Sequence, residues 1–314
     1  MSFIKPDKQI QLVDSYMIEA IQSSDTDINK YQEHLIGFEG KKIRASLVLW
    51  SSNKEYSSKS VIKMASAVEI IQSATLIHDD IIDRAKMRRG NLSMVSKWGM
   101  VPALLYGDYL MAKAFELIHS LNNCDINLMI SETVSEICKG EILQNKQSFN
   151  FELSEKEYLK IIGMKTAGFF SCCCEIGALL GNENEKNIKL LKEIGRRIGM
   201  AYQIIDDCKD IVVPSKYSGK SHLRDLKDGK ITLPVIYFLS ACNKKEKHIF
   251  MKEISNVRNK KKYFEIIFAK YDIINKSLQK AGYFLNKALK DLETLPDFLF
   301  KKNFVEFINN LKVM

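Results

Sequence analysis

Apolar side chains recur at helical spacing along almost the whole chain. Val61, Met64, Ala65, Val68, Ile71, Ala74 and Thr75, leading into Leu76 and Ile77, mark one such face. Breakers are scarce, with five prolines and fifteen glycines among 314 residues, below the roughly 5% and 7% of ordinary proteins. Period-two stretches are absent, and the one Asp-Gly pair, Asp228-Gly229, lies in a basic segment rather than between alternating strands. The chain therefore reads as all-α. Pauses at 51–58, 88–93, 121–126, 147–154, 181–186, 214–229, 243–247 and 256–262 divide it into about ten or more helices with short connections. No low-complexity linker separates two halves, so residues 1–314 are expected to form one large helical domain.

Composition narrows the class. A 46% hydrophobic and 27% charged content is far from the polar, highly charged corner where chains stay disordered. Seven cysteines are an odd number, none in a C-x-x-C pair, which signals neither a disulfide framework nor zinc. Cys172, Cys173 and Cys174 read as small core or interface residues on an apolar helix. The opening MSFIKPDKQIQLVDSYM has no signal-like apolar stretch, and no uninterrupted apolar run approaches the roughly eighteen residues of a membrane span. A cytoplasmic protein is expected. Net charge of +9 with a pI near 9.0 favours an anionic partner: nucleic acid, a phosphorylated metabolite or an anionic membrane surface.

Two acidic clusters carry the chemistry. LIHDDIIDR contains Asp79, Asp80 and Asp83, and IIDDCKDI contains Asp206, Asp207 and Asp210. In a helix, Asp79 and Asp83 share a face with Asp80 beside them, and the second cluster repeats the arrangement. Like charges at that spacing cost a few tenths of a kcal/mol per pair, and more where apolar flanks imply burial. A solvated acidic helix end explains one such cluster; two with apolar flanks call for cations. Hard carboxylate oxygens suit Mg²⁺, held by a few carboxylates together with water and substrate phosphates. Di-iron helical bundles need two Glu-x-x-His motifs, and this chain has one, Glu116 to His119.

Basic residues surround both clusters. Lys41, Lys42 and Arg44 precede the first, Arg84, Lys86, Arg88 and Arg89 follow it, and a Lys- and Gly-rich stretch follows the second. Arginine forks and lysine point charges beside Mg²⁺-recruiting carboxylates suit a diphosphate.

At this point the chain resembles the all-trans polyprenyl diphosphate synthases. LIHDDIIDRAKMRRG is similar to that family's first aspartate-rich motif with its trailing Arg-Arg-Gly, and AYQIIDDCKD to the second. GKKIR, YGDYLMAKAF, CKGEILQ, MKTAGFF and DLKDGKITLP follow in family order from Gly40 to Pro234. The resemblance implies a helical bundle around a central cavity, of the isoprenoid synthase type, and a Mg²⁺-dependent condensation of isopentenyl diphosphate with an allylic diphosphate such as farnesyl or geranylgeranyl diphosphate. It implies Asp79, Asp83 and Asp206 as ligands of three Mg²⁺ ions, with Mn²⁺ as a substitute, and Asp80, Asp207 and Asp210 in support. Arg88, Lys165, Lys220 and Lys230 would grip the allylic diphosphate, and Lys41, Arg44 and Arg89 isopentenyl diphosphate. Lys165, Thr166 and Gln203 would stand beside the developing carbocation. A homodimer is also implied, with weak membrane-surface association of the lipid product.

Departures from the family pattern are local. Glu39 replaces a glycine, Lys42 an arginine, Ala45 a proline and Leu92-Ser93 a Lys-Pro pair. Gln72 stands where many members have a histidine against isopentenyl diphosphate, and glutamine donates a hydrogen bond but carries no charge. His78, before Asp79, reads equally as a hydrogen-bond donor or as an orienting residue. If the allylic tail runs back along the helix of Asp79, each turn of roughly 5.4 Å matches about one isoprene unit. Thr75 and Ala74, four and five residues before Asp79, are small, so the tail would continue past Ile71 and Val68. Met111 and Phe115 are candidates for its floor, and Ala74 also reads as a plain close contact between helices.

The expected product has about six to eight isoprene units on that spacing, octaprenyl for example. The nearest alternative is a geranylgeranyl or farnesyl diphosphate synthase. A terpene cyclase would replace the second D-D-x-x-D with an Asn/Ser/Glu triad. From other classes, a non-catalytic helical partner would have damaged aspartates or arginines, and a nucleic-acid-binding protein would show steeply salt-dependent binding; no nucleic acid is expected. The lysine-rich stretch 243–262 reads as a solvated face.

Overall fold

The computed structural model describes residues 8–36, 40–54, 58–212, 223–254, 260–296 and 298–313. Helices dominate, as the apolar spacing predicts. In chain order they are α1 (Lys8–Ile21), α2 (Thr26–Ile36), α3 (Ile43–Ser51), α4 (Lys59–Ile82), α5 (Met94–Trp98), α6 (Met100–His119), α7 (Cys124–Lys146) and α8 (Glu155–Ile162). A π-helical turn (Gly163–Ala167) then leads into α9 (Gly168–Leu180), α10 (Glu185–Val212), α11 (Arg224–Lys227), α12 (Leu233–Ala241), α13 (Lys244–Glu253), α14 (Lys261–Lys270), α15 (Ile273–Thr294) and α16 (Lys301–Lys312). The one sheet among the described residues is a short antiparallel hairpin, β1 (Met87–Arg88) with β2 (Asn91–Leu92).

Several helix starts are set by local chemistry. The Ser58 hydroxyl accepts from the Val61 N–H and that of Ser93 from the Ser96 N–H. Ser154 with Glu157, and Asn243 with Glu246, form reciprocal capping boxes. Such caps contribute roughly 0.5–2 kcal/mol each. Helix α3 differs: Lys42, left-handed at φ 47°, makes no side-chain cap. The buried Glu69 of α4 accepts from the Ala45 N–H instead, at 3.0 Å, placing a carboxylate where the helix dipole favours one.

The chain divides into two compact units. One comprises residues 1–131, 172–195 and 294–307, the other 132–171, 196–293 and 308–314. In the first, α4 packs against α1, α3 and α6. Val61, Ile62, Met64, Ala65, Ala67, Val68, Ile70 and Ile71 bury α4 on nearly every side, as befits a helix inside a core. Trp50 meets the Phe304 ring edge-on, with centroids 5.4 Å apart. Helix α6 leaves Met100, Val101, Leu104 and Leu105 exposed. In the second unit, Phe238, Phe250, Phe264 and Phe268 cluster in tilted and edge-on contacts, a geometry aromatic quadrupoles favour. Arg197 on α10 is ion-paired with Asp291 on α15. Residues 59–82 and 155–180 are long and apolar enough to cross a membrane, yet most of each is buried within the protein.

Candidate active site

Helix α4 ends in the first acidic cluster. Asp79 and Asp83 are half-buried, whereas Asp80 is buried. Beyond Asp83 the left-handed Arg84, at φ 47°, turns the chain out of the helix. The hairpin then reverses it through Arg89 and Gly90, at φ 49° and 85°, the two positive φ values a tight two-residue turn needs. This fold-back lays Arg88 on Asp80: Nε donates to both carboxylate oxygens, at 3.0 and 3.1 Å, and Nη2 donates to Oδ1. The two side chains are only 12% and 5% exposed, so each charge depends on the other. Burial works against the Arg88 charge, but Asp80, with Asp79 and Asp83 behind it, holds the guanidinium pKa above its ordinary value.

The same hairpin gathers the basic residues of this unit. A Cβ added to Gly40 would lie 3.0 Å from the Arg89 guanidinium, so that guanidinium rests against the backbone leading into Lys41 and Arg44. Lys41 is exposed and Arg44 half-buried. Lys42 leaves the group: its ammonium pairs with Asp14 of α1 at 2.8 Å. Glu69, which sequence reasoning missed, fixes the start of α3 and hence the placement of this segment. Its one signal was a carboxylate between Val68 and Ile70 on an otherwise apolar face.

His78 turns toward α6. Its Nε2 lies 3.3 Å from Asp108 Oδ1 and 3.4 Å from the Leu104 carbonyl. A Cβ on Gly107 would fall 2.3 Å from the same nitrogen, so glycine is what lets the imidazole sit there. Of the two readings of His78, the geometry favours orientation of the helix end carrying Asp79. Further back on α4, Val68, Ile71 and Ala74 are fully buried. Thr75 is half-buried, with its hydroxyl donating to the Gln72 carbonyl at 2.9 Å. Gln72, Met111 and Phe115 are half-buried.

In the other unit, α10 carries the second cluster. Asp206 and Asp210 are half-buried and Asp207 is buried. Asp207 accepts from the Tyr158 hydroxyl at 2.6 Å and from Gln203 Nε2 at 2.8 Å. Burial, with the Asp225 charge adding, pushes its carboxyl up to about 7, while the two donors oppose the shift. Asp210 accepts from the backbone N–H groups of Arg224 and Asp225, at 3.2 and 3.1 Å, and so anchors the start of α11. Lys230 Nζ lies 3.8 Å from Asp225. Lys220, Glu39 and residues 255–259 of the lysine-rich stretch lie outside the described residues.

The π turn presents Lys165 and Thr166. π-Bulges inside helices occur often at functional sites, and this one is approached closely by two glycines. A Cβ on Gly140 of α7 would stand 2.8 Å from Lys165 Cγ, and one on Gly199 of α10 would stand 2.6 Å from the Ala167 Cα. The Lys165 ammonium donates to Gln144 Oε1 at 2.7 Å and pairs with Glu141, which explains the Gly-Glu-x-x-Gln spacing of α7. The Thr166 hydroxyl donates to Gln203 Oε1 at 2.7 Å. Thus Lys165, Thr166, Gln203 and Asp207 are brought together. Sequence reasoning missed Tyr158 and gave no role to Glu141 and Gln144; no spacing along the chain reveals that Tyr158 meets Asp207.

Among the described residues, no three His, Cys, Asp or Glu side chains form a ready-made metal cage. The donors suit a hard cation all the same, taken unit by unit: half-buried Asp79 and Asp83 one turn apart at the end of α4 in the first, and half-buried Asp206 and Asp210 one turn apart on α10 in the second. Mg²⁺ takes few protein oxygens and completes its octahedron with water and phosphate.

Residues 25–270 match the polyprenyl synthetase family. Heptaprenyl diphosphate synthase component 2 of Bacillus subtilis is 33% identical over 298 residues, 94% of this chain and 84% of that protein. Geranylgeranyl diphosphate synthase of Methanosarcina mazei is 36% identical over 216 residues, 67% of each chain. The crystal structure of heptaprenyl diphosphate synthase from Staphylococcus aureus is similar at a TM-score of 0.91 and 30% identity, covering 99% of both chains. The chain belongs to the polyprenyl synthetase family and is a prenyltransferase of isoprenoid biosynthesis.

Proposed function

We propose that the enzyme condenses isopentenyl diphosphate with an allylic starter, farnesyl or geranylgeranyl diphosphate, to give an all-trans polyprenyl diphosphate of about six to eight units, one per helical turn of the α4 wall. The observation that carries this reading is the end of α4, where two half-buried carboxylates sit one turn apart and the hairpin folds Arg88 back beside them and lays Arg89 against Gly40. Asp79, Asp83 and Asp206 are the proposed Mg²⁺ ligands, with Mn²⁺ as a substitute. Bound Mg²⁺ would stabilise the negative charge growing on the departing diphosphate. Arg88, Lys165, Lys220 and Lys230 add fixed positive charge to the same group, an electrostatic contribution of the kind that dominates many active sites. Asp80 engages Arg88 through Nε and Nη2, which leaves the Nη1 hydrogens for phosphate. Lys41, Arg44 and Arg89 hold isopentenyl diphosphate, with Gln72 contributing a hydrogen bond. Lys165, Thr166 and Gln203 line the developing cation.

The test is incubation with radiolabelled isopentenyl diphosphate, each starter in turn and Mg²⁺, followed by dephosphorylation and sizing of the alcohols. Products of about 30 to 40 carbons are expected on the tail spacing used above, with turnover abolished by EDTA. A product stopping at the geranylgeranyl length favours the shorter-chain alternative, to which the Methanosarcina relative lends weight. Absence of turnover with every starter, both by the chain alone and with a second subunit supplied, would remove the reading.

Assembly is part of the proposal. The apolar strip Met100, Val101, Leu104 and Leu105 on α6 suits a second copy of the same strip across a two-fold axis. A second reading comes from the relatives named component 2: this chain would then work with a different subunit. Turnover by the purified chain alone separates the two.

A further inference from the structure

The Tyr158–Asp207–Gln203–Thr166 contacts form one directional chain of hydrogen bonds. The Gln203 amide presents its NH₂ to Asp207 Oδ1, at 2.8 Å, and its oxygen to Thr166, the orientation that the ionised, accept-only form of Asp207 requires. That oxygen in turn commits the Thr166 hydroxyl to donate, at 2.7 Å. The remaining capacity of the Thr166 oxygen is then its lone pairs, which can only accept. Tyr158 closes the far end by donating to the other Asp207 oxygen at 2.6 Å. Tyr158 is fully buried and Asp207 and Thr166 nearly so, so few waters compete for these bonds, and a buried network of this kind acts as a unit.

We propose that Tyr158 is a positioning residue which, through Asp207 and the Gln203 amide, holds the Thr166 oxygen with its lone pairs toward the reacting carbons, where they stabilise the positive charge. The inference rests on the proposed placement of Thr166 beside the allylic cation. Tyr158 never touches substrate; it fixes the direction in which the chain is polarised. The second aspartate of each acidic cluster thereby serves a neighbouring side chain, Asp80 holding Arg88 and Asp207 holding Gln203.

The experiment compares wild type, Tyr158→Phe, Thr166→Val and the double variant under saturating Mg²⁺. Tyr158→Phe is expected to lower kcat about tenfold, near the kinetic equivalent of one hydrogen bond, with KM for both substrates within about twofold of wild type. In the Thr166→Val background the same change should cost almost nothing, because the group it positions is gone. An equal loss in both backgrounds, or an unchanged kcat, overturns the proposal. A second readout is independent of turnover. The Gln203 side-chain amide signals, assigned in ¹⁵N-glutamine-labelled protein by their loss in Gln203→Asn, should shift in Tyr158→Phe, and their invariance would also overturn it. Wild-type inactivity with every starter, both alone and with a second subunit supplied, refutes the functional reading instead.

Discussion

At the scale of single residues, charges that look alike in sequence have different neighbours. Asp80 is one of three aspartates in a row of five residues, yet it alone is buried against Arg88. Replacing one member of such a pair leaves a buried charge uncompensated, at a cost of about 3–5 kcal/mol. Asp80→Ala is therefore expected to lose about that much stability in urea unfolding, whereas Asp79→Ala, from a half-buried position, should lose far less while abolishing turnover. Ala74 offers a second residue-scale prediction. If the growing tail passes it, Ala74→Tyr shortens the product by one or more units in the sizing assay; an unchanged ladder of products would show that Ala74 is only a close contact. That Arg88 pairs with Asp80 and that Tyr158 reaches Asp207 were not legible in the sequence, because the first depends on the fold-back of a hairpin and the second on a contact between segments far apart in the chain. The spacing D-D-x-x-D specifies a face of a helix, not what is folded onto it.

At the scale of elements, the sequence was informative where breaks are made by local chemistry. The pauses at 51–58, 121–126, 147–154 and 181–186 fall on the intervals between α3 and α4, α6 and α7, α7 and α8, and α9 and α10. It was silent where a break is made by a residue with no breaker signature, as at Lys42 and Asp272, both left-handed, or by the π turn, which keeps helical periodicity on either side. The close approach of α4 and α6 is testable. Gly107→Ala places a methyl group against His78 and is expected to destabilise the protein by about 1–3 kcal/mol, the usual cost of overpacking. His78→Ala should relieve most of that loss in a double-mutant cycle. The start of α13 carries a pH dependence. Hydrogen bonds from Lys270 and Tyr271, with the Asn243 N–H, hold the Glu246 carboxyl down to about 2 from an ordinary value of 4.5. A depressed carboxylate stabilises the folded state above its unfolded pKa, and that contribution fades as pH falls from about 4.5 toward 2. Thermal melts of wild type and Glu246→Gln should accordingly differ at pH 7 and converge near pH 2; a constant gap would contradict the assignment.

At the scale of the whole molecule, helical class was readable from periodicity and breaker scarcity, and the family from an ordered set of motifs. The net charge of +9 did not choose a partner, because sign alone does not distinguish a diphosphate from any other anion. Assembly gives a prediction at this scale. Leu105→Glu, which puts a charge in the exposed strip of α6, is expected to convert a dimer to a monomer in sedimentation analysis; a wild-type chain already monomeric, and inactive without a second kind of subunit, would favour the two-component arrangement. The π turn has a further consequence. It holds one residue more than a regular helix would spend on the same length, so excising Met164 should heal the coil, keep α9 in phase and leave circular dichroism almost unchanged, while Lys165 and Thr166 lose the widened turn that presents them. Such a deletion would separate good folding from competent chemistry, with a well-formed protein whose ammonium and hydroxyl point to the wrong neighbours.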